Sequence, residues 1–172
     1  MRTDKISAKR IALCGVAVAL SLVLGYVEHL VPFPIGIYGI KLGLANLATV
    51  VCLYVLGAPA ALAINFARIM LSSLLFGNAV SLVYSLCGGM LSALAMVVVA
   101  RSKRLSCVGV SLVGGLTHNV AQLCVAIVIV DSLSIAFYLP VLLAAGALTG
   151  FVIGLLALPI TKNSFLQKFK YK

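Results

Sequence analysis

Acidic residues are almost missing from this chain. Among 172 residues there are three, Asp4, Glu28 and Asp131. Charged residues of both signs together make up 9%, against about 25% in a soluble domain, so a fully solvated globular surface is excluded. Tryptophan is absent. The five cysteines, Cys14, Cys52, Cys87, Cys107 and Cys124, are scattered one to a segment with no CxxC or Cys/His spacing. Neither a disulfide framework nor a metal site is expected from that pattern, and no cofactor motif stands out. The GxxxxGK[ST] phosphate loop is also missing, so this chain does not itself hydrolyse a nucleotide to drive anything.

What remains is 63% hydrophobic. The reading is an all-α integral membrane bundle forming a single domain over residues 1–172. Six apolar runs, five of roughly span length and the second short, fall at about 11–30, 44–56, 59–76, 79–100, 107–130 and 134–160 and are read as six spans. The turn Gly57-Ala58-Pro59 separates the second run from the third, and Gly77-Asn78 the third from the fourth. The sixth run is expected to bend at Pro140. The basic start, MRTDKISAKR, is read as the entry to a retained first span rather than a cleaved leader.

The formal net charge is +10, yet it does not point to nucleic acid. All but two of the 13 lysines and arginines lie in the first ten residues, at 101–104 or at 162–172. With six spans, those segments share one side, and the positive-inside rule makes it cytoplasmic. The two exceptions are Lys41 and Arg68. Arg68 sits in the middle of PAALAINFARIMLSSLLF, residues 59–76. A helix rising about 1.5 Å per residue places it roughly 12 Å from either end, near the centre of a hydrocarbon layer about 30 Å thick. A charge there costs at least about 2.5–3.5 kcal/mol on insertion scales, so it must face protein, water or a ligand. Asn65 shares its face one turn earlier. Two readings stand: Arg68 anchors a polar or anionic ligand, or neighbouring helices satisfy it and it only holds the bundle together.

Residues 31–45, VPFPIGIYGIKLGLA, combine prolines and glycines with an apolar character. That forbids a regular helix and suggests a capping or re-entrant segment, which is tolerated only over protein or a cavity. Lys41 lies in it and Asn46 follows. Lys41 either pairs with Glu28 or reaches a ligand. In the fourth run, Ser81, Ser85, Gly88, Gly89 and Ser92 make a small polar face beside Tyr84. In the fifth, His118, Asn119 and Gln122 are spaced to share one face, either as hydrogen-bonded packing residues or as the wall of a polar cavity. Use of His118 as a general base has little support, because no acid lies near it in sequence; the chain is not expected to be an enzyme.

Small residues recur every four positions. Ala17, Ser21 and Gly25 do so in the first span, as do Gly15 and Ala19, with Ala8 and Ala12 before them. Gly146, Gly150 and Gly154 form an unbroken stripe in the last. Such stripes let helices approach closely.

The segments IKLGLANL (40–47), Arg68, YSLCGG (84–89), Thr117-His118-Asn119 with Gln122, and YLPVLLAAGALTGFVIG (138–154) carry a resemblance. The chain resembles the bacterial membrane proteins labelled heptaprenyl diphosphate synthase component I, also called Gx transporters. These are in turn similar to the substrate-binding S components of energy-coupling-factor uptake transporters. The resemblance implies a six-helix protein of the bacterial cytoplasmic membrane that binds a small molecule on its outer side, with 31–45 as the lid. It implies a transmembrane coupling subunit and ATPases as partners, with Ala8, Ala12, Gly15 and Ala19 as candidate docking residues. The candidate ligand site is then Lys41, Asn46, Asn65, Arg68, Tyr84, His118, Asn119 and Gln122. The synthase label meets an obstacle. Prenyl chain elongation by the usual route needs paired aspartate-rich motifs to hold magnesium and diphosphate, and the two aspartates here are far apart; the alternative to uptake is therefore a non-catalytic membrane subunit of a prenyl diphosphate, quinone-related or electron-transfer assembly.

Overall fold

A computed structural model of the chain describes residues 8–30 and 43–163. Its six α-helices are α1 (Ala8–Leu30), α2 (Leu44–Val55), α3 (Ala58–Phe76), α4 (Ala79–Arg101), α5 (Cys107–Val130) and α6 (Leu139–Lys162), with a 3-10 segment over Leu133–Tyr138 before the last. No strand occurs among the described residues. The all-α membrane bundle is therefore found, with one correction to the count of spans. Among the described residues, five stretches are long and apolar enough to cross a membrane, and the 12-residue α2 is not. The protein is a multi-pass membrane protein.

Local chemistry explains the helix ends. Gly57, with φ of 89°, precedes α3, and Pro59 occupies its first turn, where a missing N–H costs nothing. Asn78 caps α4 through a reciprocal box with Ser81: each side chain accepts from the other residue's backbone N–H, at 2.8 and 2.9 Å. Ser81 is thus spent on the helix start rather than on a polar wall further in. Ser106 caps α5 by accepting from the Gly109 N–H. Pro140 does not bend a long sixth helix. The chain instead runs as a 3-10 segment to Tyr138, and Pro140 sits in the first turn of α6, where its fixed φ suits a helix start.

α2 is the hub. It packs against α1, α3 and α6, and more lightly against α4. Its Val50 joins Ala93 and Met96 of α4, Val110 of α5, and Ile153 and Ala157 of α6 in one core. Its Cys52 and Val55, with Leu56 just after it, join Ala61 and Ile64 of α3 in a second core, which α1 flanks with Leu13, Cys14, Ala17 and Val18.

The two small-residue patterns of α1 separate. Ala17 packs inward, Ser21 is buried and Gly25 lies opposite Ala45. Ala8, Ala12, Gly15 and Ala19 are all exposed, and a methyl added at Gly15 would meet nothing within 4 Å. The glycine stripe of α6 lies directly on α5. A methyl at Gly150 would come within 2.8 Å of the Leu112 Cα, and one at Gly154 within 2.6 Å of the Val108 Cα. Only hydrogen at these positions permits the backbones to meet.

Candidate ligand site at Arg68

The centre of the site is an amide relay. Arg68 Nε donates to Asn65 Oδ1 at 2.9 Å, and Nη2 donates to Asn46 Oδ1 at 3.2 Å. Asn65 is 1% exposed and fully used. Its Oδ1 also accepts from Thr49 Oγ1 at 3.2 Å, and its Nδ2 donates to the Gly89 carbonyl at 2.9 Å. One asparagine thereby ties α2, α3 and α4 together around the cation. Helix periodicity puts Asn65 beside Arg68; Thr49 and the Gly89 carbonyl do not follow from it, because their contribution depends on which helices become neighbours.

The guanidinium is held by side-chain oxygens of two neutral amides, not by helix carbonyls. Its remaining N–H donors meet no acceptor among the described residues. Glu28 lies within electrostatic reach of it, but that carboxylate has another use: its Oε1 accepts from the Gly43 N–H at 2.6 Å. Gly43 precedes α2 with φ of 73°, a left-handed backbone that favours glycine. A carboxylate is well placed at a helix N-terminus, where the backbone dipole presents positive charge. The opposite end of α2 receives Arg10, whose Nη2 donates to the Leu56 carbonyl at 2.7 Å. In the sequence Arg10 reads only as a topology signal.

The remaining candidates divide. His118 and Gln122 lie together on α5, facing Gly88 of α4. A methyl at Gly88 would come within 2.8 Å of Gln122 Cγ and 3.2 Å of His118 Cε1. Asn119 does not share their direction. It is buried and its Nδ2 donates to the Leu142 carbonyl of α6 at 2.7 Å, so the shared face expected for the three holds only for His118 and Gln122. Tyr84 is half-buried, one turn before Gly88 on α4. The Gly88-Gly89 pair is the seam between the two groups: Gly88 faces His118 and Gln122, while Gly89 faces Ile69 and Arg68. Lys41 and most of the 31–45 cap lie outside the described residues. Of that cap, Gly43 precedes α2, and Leu44 and Ala45 form its first turn.

A small cavity lies behind Asn46, where α2, α4, α5 and α6 meet. Its volume is about 20 Å³, and its polar lining comes from Asn46, Ser92, Ser111 and Thr149. That is room for one water, not for a metabolite. No group of three or more potential metal ligands occurs among the described residues.

Residues 17–159 match the sequence model of one family, described as heptaprenyl diphosphate synthase component I. The chain belongs to that family. No curated protein and no solved structure gives a significant match. The family expected from the segments at 40–47, 84–89, 117–122 and 138–154 is therefore the one found, and the match runs from within α1 to near the end of α6.

Proposed function

We propose that this protein is the substrate-capture subunit of an uptake system in the bacterial cytoplasmic membrane, binding a small anionic or strongly polar molecule at Arg68. The observation that carries this reading is the half-met guanidinium. It lies near the middle of a span, two asparagines fix its orientation, and its other donors have no acceptor among the described residues. A buried cation of this kind binds oxyanions strongly, because the surrounding low dielectric weakens its field less than water would. Tyr84, His118 and Gln122 across the Gly88-Gly89 seam supply hydrogen-bonding groups for the rest of the ligand. The chain lacks a phosphate loop, so a separate ATPase module provides the energy, with the exposed Ala8, Ala12, Gly15 and Ala19 face of α1 meeting the coupling subunit. It is not itself a catalyst.

The family's description favours a second reading, a non-catalytic membrane subunit beside a prenyl diphosphate synthase. Copurification separates the two: a coupling subunit with ATPases supports uptake, and a prenyl transferase supports the accessory role. The direct test is native mass spectrometry of protein gently released from its membrane. The wild type is expected to carry an anionic, non-lipid adduct that Arg68→Gln loses while melting cooperatively. If the variant keeps the adduct, or no longer folds, Arg68 is structural and the reading fails.

A further inference from the structure

The polar lining of the small cavity behind Asn46 is incompletely satisfied. Ser111 is 3% exposed and its hydroxyl has no hydrogen-bond partner among the described residues. Asn46 presents the same problem from the other side. Arg68 needs an acceptor, so it fixes the Asn46 amide with Oδ1 toward the guanidinium. That leaves Nδ2, a donor group, on the side of Gly43, which also lines the cavity. Nδ2 has no acceptor among the described residues either. Ser92 Oγ donates to the Gly114 carbonyl at 2.8 Å and Thr149 Oγ1 to the Gly146 carbonyl at 3.3 Å. Each of those hydroxyls retains lone pairs free to accept.

A donor, a two-way hydroxyl and two acceptors therefore surround about 20 Å³ of space. A buried water needs a volume of at least about 10–15 Å³ and some 2–4 polar partners. An alkali cation would suit the site poorly. No carboxylate lines it, and Asn46, the one amide there, turns its donor end inward because Arg68 occupies its oxygen.

We propose that this cavity is a binding site for one ordered water molecule, which accepts from Asn46 Nδ2 and hydrogen-bonds the Ser111 hydroxyl. The water extends the relay from Arg68 through Asn46 to the seam where α5 and α6 meet at their glycines. A ligand that draws Arg68 away from Asn46 then frees the amide to turn and alters the hydration of that seam. The site rests on the geometry of the lining residues and stands whether or not the protein serves uptake.

Two measurements test it. Ser111→Ala is a small change at a tightly packed position. If the water is present, the variant strips it of a partner, and Tm falls by about 2–4 °C for each kcal/mol lost in a chain of this size. If the cavity is dry, the wild-type hydroxyl is an uncompensated buried group, and its removal leaves Tm unchanged or raises it. Either of those results overturns the proposal. The second measurement is an experimental density map that resolves other internal waters. A peak within hydrogen-bonding distance of both Ser111 Oγ and Asn46 Nδ2, absent in Ser111→Ala, is expected. An empty cavity in the wild type would overturn the proposal.

Discussion

Arg10 reaches from the first turns of α1 to the carbonyl of Leu56, 46 residues later, at 2.7 Å. Near the other end of the same helix, Glu28 accepts from the N–H of Gly43. One long antiparallel helix thus supplies a cation to the negative end of α2 and an anion to its positive end. α2 has only 12 residues, and a helix that short is marginal by itself. Replacing Arg10 by Gln or Glu28 by Gln should each lower stability by about 1 kcal/mol. Thermal melting in detergent at low and high salt checks this, with the Arg10→Gln loss shrinking as salt screens the wild-type charge.

Asn65 should be the most costly polar position in the bundle to truncate. Asn65→Ala removes the acceptor of Arg68 Nε and of Thr49 at once, and leaves the Gly89 carbonyl short of a donor. The expected loss is about 2–3 kcal/mol. Thr49→Val removes one bond from the same network and should cost only about 0.6 kcal/mol, the usual worth of an interhelical hydrogen bond in a membrane. Melting temperatures that rank the two variants the other way would refute this assignment of roles.

Glycines of α1 and α6 should respond oppositely to enlargement. Gly150→Ala places a methyl 2.8 Å from the backbone of Leu112 and should destabilise by about 1–3 kcal/mol. Gly15→Ala meets open space and should be neutral or slightly stabilising, because alanine favours helix. The bulkier Gly15→Leu separates lipid from protein as the neighbour of this face. Tm of the isolated chain should stay the same while copurification of a coupling subunit is lost; retained copurification would leave α1 facing lipid alone.

The Arg10–Leu56 bond brings the start of α1 and the end of α2 to one end of the bundle, so the sidedness expected for six spans is kept although α2 is short, and it is open to a labelling test. Ser102→Cys, in the loop after α4, should react with a membrane-impermeant maleimide only after the membrane is opened. Ser132→Cys, after α5, should react in intact cells. Both variants belong in a background whose native cysteines are replaced by serine or alanine.

Much of the bundle was legible because its punctuation is chemical. Gly57 with Pro59 and Gly77 with Asn78 mark helix ends by what their backbones can do, whereas the Asn78–Ser81 box and the Ser106 cap show only in the structure, Ser81 reading from the sequence as part of a polar face. Pro140 misled because one residue type serves two positions: it kinks a helix interior and begins a helix equally well, and only the 3-10 segment before it decides. At the site, period 3.6 correctly placed Asn65 with Arg68 and His118 with Gln122. It could not place Asn119, which lies between two neighbouring helices and turns to the Leu142 carbonyl. Ser111 and Thr49 were harder still. A small hydroxyl in an apolar run often bonds its own helix, as Ser21 does to the Ala17 carbonyl at 2.6 Å. Nothing in the run itself distinguishes Ser21 from a serine that crosses to another helix or lines a void.

The brevity of α2 has a further consequence for depth. Its 12 residues cover about 18 Å, well short of a hydrocarbon layer about 30 Å thick. With Arg10 drawing its last carbonyl toward the basic end of the bundle, its first turn stops below the opposite headgroups. Asn46 and Arg68 therefore meet at a level where lipid tails, not water, are the surrounding medium. On the uptake reading, a guest reaching them sheds its hydration before it is recognised, so the energy of dehydration would become part of how such a subunit discriminates among solutes.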